Sequence, residues 1–193
     1  MDLLRGVNLY LVGMMGAGKS TLGEVMAKRL GYRFCDTDAL IEQVAAQSIP
    51  DIFQASGESG FRALESQVLD QLVPYTRLVV ATGGGIVLRP ENWGYLRQGV
   101  VVWINAPLTE LQRRLQGNRN RPLLQREDWP QYLANLLEER RHLYEAADIH
   151  LPVAAGESTE IIGDRLLTLL EERIEPLEER ILPPSSAPTN TED

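Results

Sequence analysis

Apolar positions along the chain fall into short unbroken runs separated by longer stretches with a helical period. Residues 7–12 (VNLYLV), 77–81 (RLVVA) and 100–105 (VVVWIN) are near-continuous runs of the kind that form strands buried on both faces. Residues 32–36 (YRFCD) predict a shorter strand, and 149–153 a weaker fifth. Between them the pattern predicts helices over 19–30, closed by Gly31, and over 39–47, 52–72, 108–115 and 159–173, with a break at 56–60. Strands that alternate with helices pair in parallel through right-handed crossovers. The expected fold is therefore α/β, with a parallel sheet covered by helices on both faces.

Two stretches do not fit the alternation. Residues 117–129 (GNRNRPLLQREDW) are polar and arginine-rich without a clear period, and read either as a solvated loop or as a mobile lid. Residues 183–193 (PPSSAPTNTED) are low in complexity and polar, and are expected to be a disordered tail behind one domain spanning 1–182.

Composition narrows the partners. A chain of 193 residues that is 44% apolar and 24% charged can close a core, and no run approaches the ~20 apolar residues of a membrane helix. Nineteen Lys and Arg against 27 Asp and Glu leave a net charge of −8. That balance suits neither nucleic acid nor an anionic membrane surface, so small molecules are the expected partners. The single cysteine, Cys35, has no mate for an internal disulfide, and no Cys/His cluster suggests zinc. The N-terminal apolar stretch runs into a glycine loop rather than a cleavage site, so a cytoplasmic location is expected, and the chain is expected to be a monomer.

The strongest chemical signal is residues 13–20, GMMGAGKS, a match to G-x-x-x-x-G-K-[ST] placed between a predicted strand and a predicted helix. Glycines there let successive N–H groups face one anion at a helix N-terminus. Lys19 supplies a point charge for the outer phosphates and Ser20 a hydroxyl for magnesium. Asp36 and Asp38 follow the second strand. Alone they read as a turn or helix cap, but beside a phosphate loop they become oxygen donors. In extended geometry their side chains would point to the same side. The third strand ends in Ala81-Thr82, with no acid where many phosphate-loop proteins place one. Asp36 is thus the candidate to support the cation and Asp38 the candidate to orient, or take a proton from, an acceptor hydroxyl.

Arg62, Arg114, Arg121 and Arg140 form a third group, each of which could equally be a surface ion-pair partner. Arg121 is the most distinctive, because Pro122 fixes the backbone beside it and Leu123 and Leu124 could close over a pocket and expel water. Gly83-Gly84-Gly85, at the end of a buried strand, would permit close approach of a ligand to free N–H donors, or would simply be a flexible turn.

Taken together these residues resemble the shikimate kinase family. The loop GMMGAGKST, Asp36-Thr37-Asp38, Gly57-Glu58 with Phe61-Arg62, the Gly83–Gly85 triplet, Arg121-Pro122-Leu123-Leu124 and Glu139-Arg140 with Leu143-Tyr144 stand in that family's order and spacing from about residue 8 to 173. The resemblance implies a three-layer phosphate-loop kinase fold with a five-stranded parallel sheet, and transfer of the γ-phosphate of ATP to the 3-hydroxyl of shikimate, in the route to chorismate and the aromatic amino acids. It also implies site roles. Gly16, Ala17, Gly18, Lys19, Ser20 and Thr21 would hold ATP phosphates, with Ser20 on one magnesium ion and Asp36 supporting that ion through water. Asp38 would act at the attacking hydroxyl, and Arg62 and Arg140 would grip the shikimate carboxylate. Gly83, Gly84 and Gly85 would contact the acceptor, Arg121 would meet the transferring phosphate, and Arg114 would lie near adenine. Lys19, Asp38 and Arg121 are the expected catalytic set.

Two departures stand out. His142 occupies a position where relatives often carry proline, and reads as a solvated helix residue, while residues 144–148 form a segment one residue shorter than in some relatives. Residue types alone leave open a kinase of another hydroxy acid, such as gluconate, and a non-catalytic relative would be expected to have lost the gripping or metal residues that this chain keeps.

Overall fold

In the computed structural model, which describes residues 3–116 and 127–181, the five strands form one parallel sheet. They are β1 (Leu9–Val12), β2 (Arg33–Asp36), β3 (Leu78–Ala81), β4 (Val100–Asn105) and β5 (Ile149–Pro152), in the spatial order β2-β3-β1-β4-β5. Every neighbouring pair is parallel, with Leu9 opposite both Val79 and Val100, and Cys35 opposite Val80. β1 is central, and both of its neighbours bury their whole length or nearly so. This is the predicted five-stranded α/β sheet.

The first strand starts later than its apolar run. Val7 is exposed, and buried Asn8 pairs through its side chain instead: its Nδ2 donates to the Tyr75 carbonyl at 2.7 Å and its Oδ1 accepts from Leu78 N at 2.9 Å. An amide side chain thus ties the entrance of β1 to that of β3, and Val7 remains a loop residue.

The helices are α1 (Lys19–Leu30), α2 (Thr37–Ala45), α3 (Ile49–Leu72), α4 (Pro90–Leu96), α5 (Leu108–Leu115), α6 (Trp129–Tyr144) and α7 (Thr159–Ile181), with a 3-10 turn at Ile86–Leu88. α1 ends at Gly31 in the left-handed conformation (φ 68°), the C-terminal stop expected of that glycine. α2 begins at Thr37, two residues before the predicted start, because the Asp36 carboxylate caps it. α3 begins at Ile49, capped by Ser48, whose Oγ accepts from Asp51 N at 3.3 Å. The predicted break inside it is a single residue, Gly57, at φ 68° and ψ −174°. α4 was not expected; its Trp93 and Leu96 are buried against the sheet's core. Of the segment 117–129, residues 117–126 lie outside the described residues and Trp129 already belongs to α6; the tail 183–193 lies outside them too.

Two hydrophobic clusters result. The larger surrounds the sheet and joins α1, α4, α5, α6 and α7 to it; the smaller, of Ile41, Ile52, Phe61 and Val68, sits between α2 and α3, with Phe53 stacked on Phe61 at 4.7 Å. The carboxyl ends of β1, β2 and β3 open between these clusters, where ligands bind in sheets of this type. Among the described residues no helix is long and apolar enough to cross a membrane.

Candidate active site

The loop after β1 departs from helical and extended geometry at three glycines: Gly13 (φ 142°), Gly16 (φ 78°) and Gly18 (φ 97°). A side chain at Gly13 would place its Cβ 2.8 Å from the Ile104 carbonyl oxygen, so both backbone angle and space demand glycine there. Gly18 then leads into α1, whose first residues are Lys19 and Ser20. The Lys19 ammonium donates to the Gly13 and Met14 carbonyls at 2.8 and 2.9 Å, which holds a positive charge over the loop it belongs to. Residues Gly16 to Thr21 line a cleft of about 650 Å³, shared with Asp36, Asp38, Gly84 and Arg114. Thr159 and Ile162 of α7 also line it.

Asp36 is both the last residue of β2 and the N-cap of α2. Its Oδ1 accepts from Asp38 N at 3.0 Å and Ala39 N at 3.5 Å, while its Oδ2 accepts the Ser20 hydroxyl at 2.6 Å. The expected arrangement, two extended aspartates on one side, is not found: only Asp36 is extended, and Asp38 stands in the first turn of α2. The two carboxylates consequently face different neighbours. Asp36 faces the phosphate loop, and Asp38 faces the glycine triplet. Ser20 and Asp36 offer a hydroxyl and a carboxylate side by side on the cleft wall, the donors suited to a hard cation that keeps several waters and arrives with phosphate oxygens. Among the described residues no three His, Cys, Asp or Glu side chains gather into a cage of their own.

Beyond β3, Thr82 is locked to Leu11 by both its N–H (3.1 Å) and its Oγ1 (3.0 Å), and Gly83 N donates to the buried Thr37 Oγ1 at 3.0 Å. The triplet that follows is packed against ionic side chains. A Cβ at Gly83 would stand 2.4 Å from Glu65 Oε1 and 2.8 Å from Asp38 Oδ1; one at Gly85 would stand 2.2 Å from Arg62 Nη1. These glycines are sockets for a carboxylate pair and a guanidinium, which is more specific than a flexible turn.

Arg62 lies on α3 beyond the Gly57 break. Its Nη1 donates to Glu65, and its Nη2 and Nε to Glu58 Oε1 at 3.1 and 3.3 Å. Arg140, buried on α6, reaches the Gly84 carbonyl with Nη1 at 3.4 Å. Both guanidinia therefore meet at Gly84–Gly85, near Asp38. Glu65 is completely buried, and its Oε1 has no hydrogen-bond partner among the described residues. Burial pushes its pKa up, Arg62 opposes that, and the neighbouring Asp38 charge adds to the rise.

Arg114 sits at the opposite end of the cleft. Its Nη1 donates to the Ala17 carbonyl at 3.0 Å, and its Nε to Glu110 at 2.6 Å. Glu110 is buried in α5 and held down to about 2, first by hydrogen bonds from Arg113 and then by Arg114, against its desolvation. Cys35 is half-buried, and burial with the adjacent Asp36 charge raises its thiol to about 11.

The predicted site residues within the described part thus gather beyond the carboxyl ends of β1, β2 and β3, in the cleft or against the glycine triplet beside it, and Arg121 lies outside the described residues. Four residues were given no role of their own: Thr37 and Tyr144, which stood only within the quoted motifs, and Glu65 and Glu110. Three of them stand three or four positions from a predicted arginine (Arg62, Arg114 and Arg140), a helical spacing that brings side chains together and was a usable signal.

Comparison with known proteins agrees with this geometry. The family model described as shikimate kinase matches residues 15–171. A shikimate kinase of Synechococcus sp. is 56% identical over 170 residues, 88% of this chain and 87% of that protein. One from Synechococcus elongatus is 52% identical over 167 residues, 86% and 88% of the two chains. Among solved structures, shikimate kinase from Acinetobacter baumannii in complex with shikimate superposes with a TM-score of 0.77 at 37% identity, covering 92% of this chain and 96% of that one.

Proposed function

The chain belongs to the shikimate kinase family, and from that premise we propose that it transfers the γ-phosphate of ATP to the 3-hydroxyl of shikimate, giving 3-phosphoshikimate and ADP. One observation carries the reading. A phosphate loop with its lysine opens into the same cleft as Asp38 and Gly84, and beside them stand two buried or nearly buried arginines on separate helices. Such a site has a phosphate end and a carboxylate end with a carboxylate between them, which suits an acceptor that is both an acid and an alcohol.

In this reading the loop amides and Lys19 hold the β- and γ-phosphates, and the helix α1 dipole favours their charge. Magnesium, bound with ATP by Ser20 and through water by Asp36, would supply charge neutralisation on the phosphates. Asp38 orients the attacking hydroxyl and accepts its proton as the new P–O bond forms and the bond to the ADP oxygen breaks. Arg62 and Arg140 pair with the acceptor carboxylate, an interaction stronger than a neutral hydrogen bond and well directed by planar guanidinia. Glu65 keeps Arg62 aimed at the triplet, and Arg114 braces the phosphate loop at its nucleotide end. Arg121 would meet the transferring phosphate from the segment before α6. Residues 1–182 act as one domain, as a cytoplasmic monomer.

Phosphoryl transfer needs in-line positioning and screened charge more than covalent chemistry, so this division of labour is sufficient. A coupled assay of ADP release with shikimate, quinate, gluconate and nucleoside monophosphates as acceptors tests the reading. Turnover is expected with shikimate, and turnover with only a nucleotide or gluconate would overturn it.

A further inference from the structure

Tyr144 is the last residue of α6, wholly buried, and stacked 5.9 Å from Trp103 of the sheet. A phenylalanine would fill that space equally well, so the hydroxyl needs its own explanation. It donates to the Gly84 carbonyl at 2.5 Å and lies 3.5 Å from Met14 Sδ of the phosphate loop. Gly84 itself rests against that loop: a Cβ there would stand 3.4 Å from Met15 N and 3.5 Å from the Gly13 carbonyl oxygen. Arg140, one helical turn before Tyr144, approaches the same Gly84 carbonyl at 3.4 Å.

We propose that Tyr144 is a positioning residue for the acceptor: its hydroxyl satisfies the Gly84 carbonyl, fixes the Gly83–Gly85 turn against the phosphate loop, and leaves Arg140 turned toward the acceptor carboxylate. The inference rests on the reading of function above. Its physical basis is competition for one partly buried oxygen on the cleft wall. With two donors present the short phenolic bond takes the larger share and the arginine contact stays long. Without the hydroxyl, Arg140 is the remaining protein donor to that oxygen among the described residues, and a partly buried carbonyl that loses its short bond draws the guanidinium toward itself. Burial holds the Tyr144 phenol up at about 12, so the donor keeps its proton through the neutral range.

Tyr144→Phe removes the hydroxyl and little else. Steady-state kinetics and calorimetric titration should show shikimate KM and Kd raised roughly three- to tenfold, the worth of one hydrogen bond, with a smaller fall in kcat and little change in ATP KM. In a cycle with Arg140→Lys the two losses in shikimate affinity should be less than additive, because both act through one carbonyl. The rise in Tm on adding shikimate, read on the folded fraction, should be smaller than for the unmodified protein. A loss confined to Tm or to the active fraction, with shikimate KM and the ligand-induced rise unchanged, would assign Tyr144 a packing role and overturn the inference. Failure of the unmodified chain to phosphorylate shikimate would instead overturn the functional reading beneath it.

Discussion

The Ser20 hydroxyl donates to Asp36 Oδ2 across 2.6 Å, joining the first turn of α1 to the end of β2. The other oxygen of the same carboxylate caps α2. These two duties separate on substitution. Asp36→Asn keeps a good cap, so Tm should stay close to that of the unmodified protein. The magnesium concentration for half-maximal rate should nonetheless rise about ten- to a hundredfold, as for loss of a carboxylate supporting a metal ligand. Asp36→Ala should add a loss of about 1 kcal/mol in stability. Magnesium titration of the rate beside thermal melts checks both, and an unaltered magnesium requirement in Asp36→Asn would remove Asp36 from the metal's support.

Gly83→Ala drives a methyl group toward Glu65 Oε1 and Asp38 Oδ1, both held in a buried setting. One of them must move, and if Asp38 acts as proposed above, its displacement by about 1 Å should lower kcat by about 10². Gly94→Ala is the control: nothing lies within 4 Å of the new Cβ, and its position in α4 favours alanine, so activity and Tm should hold or improve slightly.

Lys19→Ala should lower kcat by about 10²–10³, in line with losing one cationic or hydrogen-bonding stabiliser of the transition state. Because its ammonium meets the carbonyls of Gly13 and Met14 at the edge of an open cleft, water replaces it there and Tm should change little. Near-normal turnover would contradict the assignment of the loop.

Glu110 gives a pH prediction with a definite sign. Its folded value is depressed from 4.5 to about 2, so the native state binds fewer protons than the unfolded chain between those values. Its stabilising contribution is full above about 4.5 and is lost as pH falls toward 2. Glu110→Gln should therefore melt lower at neutral pH and show a flatter decline of Tm below pH 4.5 than the unmodified protein. It should also raise ATP KM, since Arg114 loses the anchor that sets it against the Ala17 carbonyl. Parallel acid titration curves for the two proteins would refute the account.

Much of this site was legible before any coordinates. The loop at 13–20 needs a fixed set of residue types to present amides and a lysine, and the apolar runs that alternate with helical stretches around it pointed to buried parallel strands. Arg62 and Arg140, far apart in the chain, were brought together through a resemblance rather than through spacing. What stayed hidden was local geometry. Asp36 and Asp38 looked like a strand pair because period two was assumed past a point where a cap had already turned the chain. Glu65 was not singled out, since its i,i+3 spacing from Arg62 does not say which face is buried. α4 was missed because it is a short helix of about two turns of mixed residues opening on Pro90, stabilised by Trp93 and Leu96 in the core rather than by its own pattern.

The small cluster between α2 and α3 is separate from the one around the sheet. It carries Phe61 directly beside Arg62 and Val68 three residues beyond Glu65, so the Arg62 and Glu65 side chains are rooted in a miniature core that the phosphate loop does not share, while Arg140 is held by the core around the sheet. Repacking Ile41, Ile52 and Phe53 offers protein engineers a handle for retuning which alcohol the scaffold accepts while its triphosphate cradle, anchored in the sheet, is inherited unchanged.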